Sequence, residues 1–166
     1  MNVEIENIKE LSRKMRKTIL EMSLNCGQSA HIGGGLSIVD ILSTLYEGVG
    51  DFTVNEKKNR FILSKGHGVL GLLSVLHCKN FISNEDILTF QTNGSEFIAH
   101  PIANHKLGIE SSNGSLGQGL SFGIGIALSY KIRGNDGNIF VLMGDGELQE
   151  GQNWEAIMFA AGKKVD

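Results

Sequence analysis

The feature that most constrains this chain is an apolar run that stops abruptly. Ile139-Phe140-Val141-Leu142-Met143 breaks directly into Gly144-Asp145-Gly146. A short β-branched and aromatic run ended by glycine reads as a buried strand opening into a loop. The residues from Glu150 to about Ala161 then carry a helical pattern, with Gly162 as the stop. Strand, loop and helix in this order belong to a layered α/β domain, where ligands bind beyond the carboxyl ends of the strands. Glycines let the backbone come close to a ligand, and Asp145 offers a hard oxygen to a cation. The helix N-terminus behind them favours negative charge. Together these suit a diphosphate held through a magnesium ion; a structural Asp-Gly turn is the plainer reading of the same residues.

The rest of the chain follows the same alternation. Ile8, Leu11, Met15, Ile19 and Met22 keep helical spacing, with Asn7 and Glu10 as a capping-box start and Asn25 and Gly27 as the stop. Gly33 to Gly35 read as a loop, and Ser37 as the N-cap of a helix through Ile38, Ile41, Leu42 and Leu45. Arg60 to Ser64 reads as a strand, followed by the loop Lys65-Gly66-His67-Gly68. Val69, Leu72, Leu73 and Leu76 mark a third helix, and Ser83 with Asp86 caps a fourth. Residues 94–116 read mostly as loop, Gly117 to Arg133 as helix, and Gly134 to Asn138 as a turn. Glycine in a helix costs about 1 kcal/mol against alanine, so Gly119, Gly123 and Gly125 demand close packing in return.

Composition narrows the function classes. The 166 residues suffice for one domain with a core, and no repeat or linker divides them. The 22 glycines stand beside a single proline, in short clusters rather than low-complexity runs. A net charge of −3, with no basic cluster, gives no pull toward nucleic acid. No apolar run approaches the roughly 20 residues of a membrane span. Met1 to Glu10 is polar and acidic, without a signal-peptide pattern. Cys26 and Cys78 lack metal-ligand spacing and read as reduced core thiols of a cytoplasmic protein.

Four ordered segments carry a family resemblance: Gln28-Ser29-Ala30-His31-Ile32-Gly33-Gly34, Ser64-Lys65-Gly66-His67, Gly114-Ser115-Leu116-Gly117-Gln118-Gly119, and the run from Gly144 through Glu150-Gly151 to Trp154-Glu155-Ala156. Together they resemble the N-terminal, thiamine diphosphate-binding part of transketolase, and within that family the split members whose halves are separate polypeptides. The likeness runs from the first helix to Asp166.

The resemblance implies a three-layer α/β thiamine diphosphate-binding fold with a mainly parallel sheet. Residues 1–166 would be a partial domain, incomplete at the C-terminus, where the family has a further strand and an Asn that completes the magnesium site. It implies two-carbon ketol transfer between sugars or sugar phosphates, with thiamine diphosphate and Mg2+ as cofactors. Asp145 would hold the metal. Gly144, Gly146 and His67 would meet the diphosphate, while Gly114 and Leu116 would meet the aminopyrimidine. Without the family, Leu116 reads equally well as a core residue. His31 and His100 would face the substrate hydroxyls and assist proton transfer, work suited to imidazole. Glu150 and Glu155 would link active sites across a dimer interface, although carboxylates at a helix start also have a plain electrostatic reason. His77 and His105 read as structural. The chain departs from the family pattern at Ala30, Ile32 and Ala99, all beside the substrate, and at Ser115. Donor and acceptor sugars therefore stay open.

The implied partner is a C-terminal transketolase subunit, the pyrimidine-binding half, which supplies the glutamate that activates the cofactor; a homo-dimer or hetero-tetramer follows. Two other readings stand beside this one. One is a thiamine diphosphate subunit of oxo-acid dehydrogenase type, against which the Ser115-to-Gly119 and Leu148-to-Gly151 segments argue. The other is a truncated, non-catalytic binding module.

Overall fold

The computed structural model describes residues 5–50, 52 and 59–165; residues 1–4 of the polar N-terminal stretch and Asp166 lie outside them. These residues group into two units. One holds the described residues up to 50 together with 67–102, and the other holds 52, 59–66 and 103–165.

The first unit is helical: α1 (Ile5–Asn25), α2 (Ile32–Leu36), α3 (Val39–Ser43) continued by a wide turn over Thr44–Val49, α4 (Val69–Cys78) and α5 (Asn84–Leu88). The α1 stripe Leu11, Met15, Ile19 and Met22 is buried, as its spacing requires. The helix begins upstream of the expected cap, so Asn7 and Glu10 lie inside it. Glu6 occupies the first turn and bonds Lys9 at 2.8 Å, while Glu10 pairs with Arg13 at 3.5 Å. An acid in the first turn and pairs at this spacing favour the earlier start. Ser12 and Arg16 donate to the two oxygens of Asp40 at 2.9 and 2.8 Å, tying α3 to α1.

Every residue from Val69 to Leu76 of α4 is buried, as a helix enclosed on all sides must be. Its packing explains a departure from the sequence reading. Gly33 to Gly35 are not a loop; they form α2. A Cβ on Gly35 would stand 2.9 Å from the Leu70 Cβ, and one on Gly71 2.8 Å from the Ile38 side chain. Close approach of the two segments outweighs the helix cost of glycine. Ser37 is consequently not an N-cap: it closes α2, its hydroxyl donating to the Gly34 carbonyl, and α3 starts without a side-chain cap. The cap of α5 is as read, with Ser83 and Asp86 forming a reciprocal capping box.

The second unit contains β1 (Arg60–Leu63), α6 (Gly119–Arg133), β2 (Ile139–Leu142) and α7 (Gly151–Lys163). The strands are parallel, with Phe61 opposite Phe140 and Ile62 opposite Val141. Two helical glycines of α6 have the expected reason. A Cβ on Gly119 would fall 2.4 Å from the Ser64 Cβ, and one on Gly123 2.5 Å from Val141; Gly125 faces open space. Arg60 anchors the start of β1 through a buried ion pair with Glu110 at 2.9 Å and a bond to the Tyr130 hydroxyl. Gly134, at φ +66°, ends α6, whereas α7 runs past Gly162 and is ended by Lys164 in the left-handed region. Cys26 and Cys78 are free and only partly buried rather than core thiols; burial pushes the Cys78 thiol up. Among the described residues no helix is long and apolar enough to cross a membrane.

Candidate functional site

In the second unit, three segments meet at the carboxyl ends of the two parallel strands. Ser64 follows β1, Gly144-Asp145-Gly146 follows β2, and the loop 113–118 leads into α6. Asn113 fastens that loop by donating to the Leu63 carbonyl at 2.9 Å and to Ser111 at 2.6 Å. Asp145 is exposed and opens a short 3-10 turn, Gly146–Gln149. Nothing lies within 4 Å of a Cβ placed on Gly146. Its N–H, at the first position of the turn, belongs to the donors that a helical turn leaves without an internal acceptor. Gly144 differs: its N–H donates to the Glu147 carboxylate at 2.9 Å, so it braces the loop instead of facing outward.

Glu147 is the residue that sequence reasoning missed. It is only 1% exposed. One carboxylate oxygen accepts from the Ser64 hydroxyl at 2.5 Å and from the Gly117 N–H at 2.9 Å; the other accepts from Gly144. The Gly119 N–H donates to the same Ser64 hydroxyl at 3.1 Å, and Asn153 of α7 holds the Glu147 carbonyl at 2.6 Å. In the sequence Glu147 is one of several carboxylates near a helix start, and only the meeting of three strand-end segments distinguishes it. A buried carboxylate is tolerable when donors satisfy it, as here.

Gly114 and Leu116 are exposed, so Leu116 is not a core side chain. Glu150 is exposed at the N-cap position of α7 and makes no side-chain capping bond; Glu155 is exposed on α7. A groove of about 780 Å³ runs along β2 between α6 and α7, past Leu120, Ile124, Phe140 and Ile157, and none of the predicted site residues lines it. Its walls mix apolar side chains with Tyr130, Lys131, Asn135, Asn138 and Lys164.

In the first unit the structure brings three predicted histidines together. The His31 ring lies 6.0 Å, centre to centre, from both His67 and His100, edge-on to each. Gly34 makes room for this cluster, since a Cβ there would stand 2.8 Å from the His67 carbonyl and 3.0 Å from its ring. His77 stays apart, with Nδ1 3.1 Å from the Ile82 carbonyl, and His105 is exposed 3.7 Å from Glu110. No group of three or more His, Cys, Asp or Glu side chains among the described residues is arranged to hold a metal. Asp145 offers one exposed carboxylate, and magnesium commonly combines one or two carboxylates with phosphate oxygens and water.

Residues 12–166 match the family model described as transketolase, thiamine diphosphate binding domain. The chain belongs to the transketolase family. Among curated transketolase relatives, it is 38% identical to an apulose-4-phosphate transketolase component of Phocaeicola vulgatus, over 99% of this chain and 59% of that protein. It is 36% identical to a 6-deoxy-6-sulfo-D-fructose transketolase component of a Clostridium species, over 92% of this chain and 56% of that protein. Both relatives carry names that mark them as one subunit of a transketolase. The chain thus spans about three-fifths of the length of these relatives. Among solved structures, transketolase from Campylobacter jejuni superimposes with a TM-score of 0.87 at 30% identity, covering 98% of this chain and 27% of that one. The α/β fold is that of the transketolase cofactor-binding region.

Proposed function

We propose that this chain is the cofactor-binding part of a transketolase-type transferase that moves a two-carbon ketol unit between sugars, working with a separate chain that carries the pyrimidine-binding half. The observation that carries this is Asp145: an exposed carboxylate at the carboxyl end of a parallel strand, on a loop braced through Gly144 and open at Gly146. That geometry fits a magnesium diphosphate. Relatives named as single subunits of transketolases support the partner chain, and relatives named as transketolases favour this reading over an oxo-acid dehydrogenase component.

In this reading Asp145 holds Mg2+, while Gly146 and His67 meet the diphosphate. Gly144 contributes by bracing the loop. Gly114 and Leu116 take the aminopyrimidine. Thiamine diphosphate, when bound, supplies the carbon nucleophile that breaks and forms the carbon–carbon bond. The protein's task is binding, orientation and proton handling. His31 and His100 hold the sugar hydroxyls and exchange a proton with them through ring nitrogens, a role suited to a side chain that ordinarily titrates near neutrality. Glu150 and Glu155 reach toward a neighbouring protomer in a homo-dimer or hetero-tetramer. Residues 12–166 form part of one diphosphate-binding domain in this reading, and the free thiols suit a cytoplasmic enzyme.

Calorimetry on the complete protein with its partner tests the assignment. Thiamine diphosphate should bind in the presence of Mg2+ and fail to bind in excess chelator. Asp145→Ala should weaken binding by about tenfold or more, the scale of losing one charge-assisted contact. Unchanged affinity in that variant would overturn the role of Asp145.

A further inference from the structure

We propose that Glu147 is a positioning residue. Its two carboxylate oxygens set the diphosphate loop and the aminopyrimidine loop relative to one another before any ligand arrives. The inference rests on the reading of Asp145, Gly114 and Leu116 given above. Gly144 immediately precedes the proposed metal ligand, and Gly117 immediately follows the proposed ring contact Leu116. Glu147 grips both amides at 2.9 Å, one with each oxygen, and takes the Ser64 hydroxyl as a third donor.

Nothing in the proposed chemistry uses this carboxylate, and at 1% exposure it cannot serve as a solvated acid. Its charge is met by N–H and O–H donors, which makes these bonds stronger than neutral ones. The three segments it joins come from the end of β1, the start of α6 and the end of β2. Such a hub fixes loop geometry in advance, so a ligand need not supply the ordering cost.

The chemistry requires glutamate at this position. Glutamine could keep its oxygen on Ser64 and Gly117, but its NH2 would then face the Gly144 N–H, donor against donor. Aspartate keeps the charge yet is one methylene shorter, too short to serve both sides from the same turn.

The test uses the complete protein in complex with its partner, and two readouts. Hydrogen exchange of the ligand-free protein, read by mass spectrometry, should show the segment around Gly144 exchanging faster in Glu147→Gln while the segment around Gly117 keeps its protection. Thiamine diphosphate binding with Mg2+ should weaken about tenfold in Glu147→Gln, the scale of one lost charge-assisted bond, and Glu147→Asp should not restore it. Glu110→Gln serves as the control. It breaks the buried pair with Arg60 at the other end of β1, so it should lower the melting temperature yet leave cofactor affinity within about twofold.

Affinity in Glu147→Gln equal to the parent, or reduced no more than in Glu110→Gln, overturns the proposal; so does full rescue by Glu147→Asp. If Glu147→Gln does not fold, Ser64→Ala removes one donor and should weaken binding about threefold, with unchanged affinity again overturning the proposal. A parent complex that binds no thiamine diphosphate refutes the functional reading and this inference together. A parent that binds while the variants match it refutes the inference alone.

Discussion

Gly117 lies directly against Glu150: a Cβ on Gly117 would stand 2.9 Å from the Glu150 Cβ. Gly117 also sits at φ +84°, where L side chains are strained. Gly117→Ala should therefore lower stability by about 1–3 kcal/mol, seen as a lower urea midpoint at unchanged slope. Adding Glu150→Gly removes the steric part and leaves the backbone strain, so the double variant should recover only part of the loss. Full recovery would show that the backbone conformation costs nothing.

The glycines of α6 separate by what faces them. Gly123 abuts Val141 on β2, whereas Gly125 faces open space. Gly125→Ala should raise stability by about 0.5–1 kcal/mol through helix propensity alone. Gly123→Ala should lower it, because the helix must move off the sheet. Thermal unfolding of the two variants side by side decides the matter; the same sign for both would contradict the packing described.

Much of the fold is legible in the sequence where the determinants are local. The Ser83–Asp86 capping box is complete within four residues, and β2 with its glycine loop is a contiguous signal. Sequence reading fails where tertiary packing decides. Gly33 to Gly35 carry a loop propensity, but proximity to Leu70 and Gly71 makes them helical. The histidines are found singly, by residue type and flanking glycine or proline. That His31 stands 6.0 Å from both others is not encoded in any spacing. Glu147 is invisible in the sequence because its partners Ser64, Gly117 and Gly144 are scattered along the chain.

His100 lies in the Ala99-His100-Pro101 loop, separate in sequence from the segments proposed to meet the diphosphate, with its ring 6.0 Å from that of His31. His100→Ala should slow ketol transfer about 100-fold, the scale of losing a proton-transfer group. Cofactor affinity should stay near the parent value. Steady-state kinetics beside calorimetry would separate the two, and a comparable loss of cofactor affinity would move His100 to the cofactor side.

Asp40 gives a pH dependence of stability. Its bond from Arg16, and then that from Ser12, hold its carboxyl below the ordinary value. A lowered folded value means that the contribution is complete above the unfolded carboxylate pKa, about 3.9, and is lost as pH falls through the folded value. The gap in urea midpoint between the parent and Asp40→Asn should be constant at higher pH and close below it. Because Asp40 is largely exposed, added salt should shrink the gap. A gap that widens on acidification would contradict the assignment.

The central claim is that this chain provides the cofactor loops of a transketolase-type enzyme and depends on a partner for the rest. The most direct measurement is a coupled assay with xylulose 5-phosphate and ribose 5-phosphate as probes, alongside light scattering to report the assembly. The complete protein with its partner, thiamine diphosphate and Mg2+ should transfer the two-carbon unit, and the isolated chain of 166 residues should show none. Robust turnover by this chain as a monomer would contradict the account.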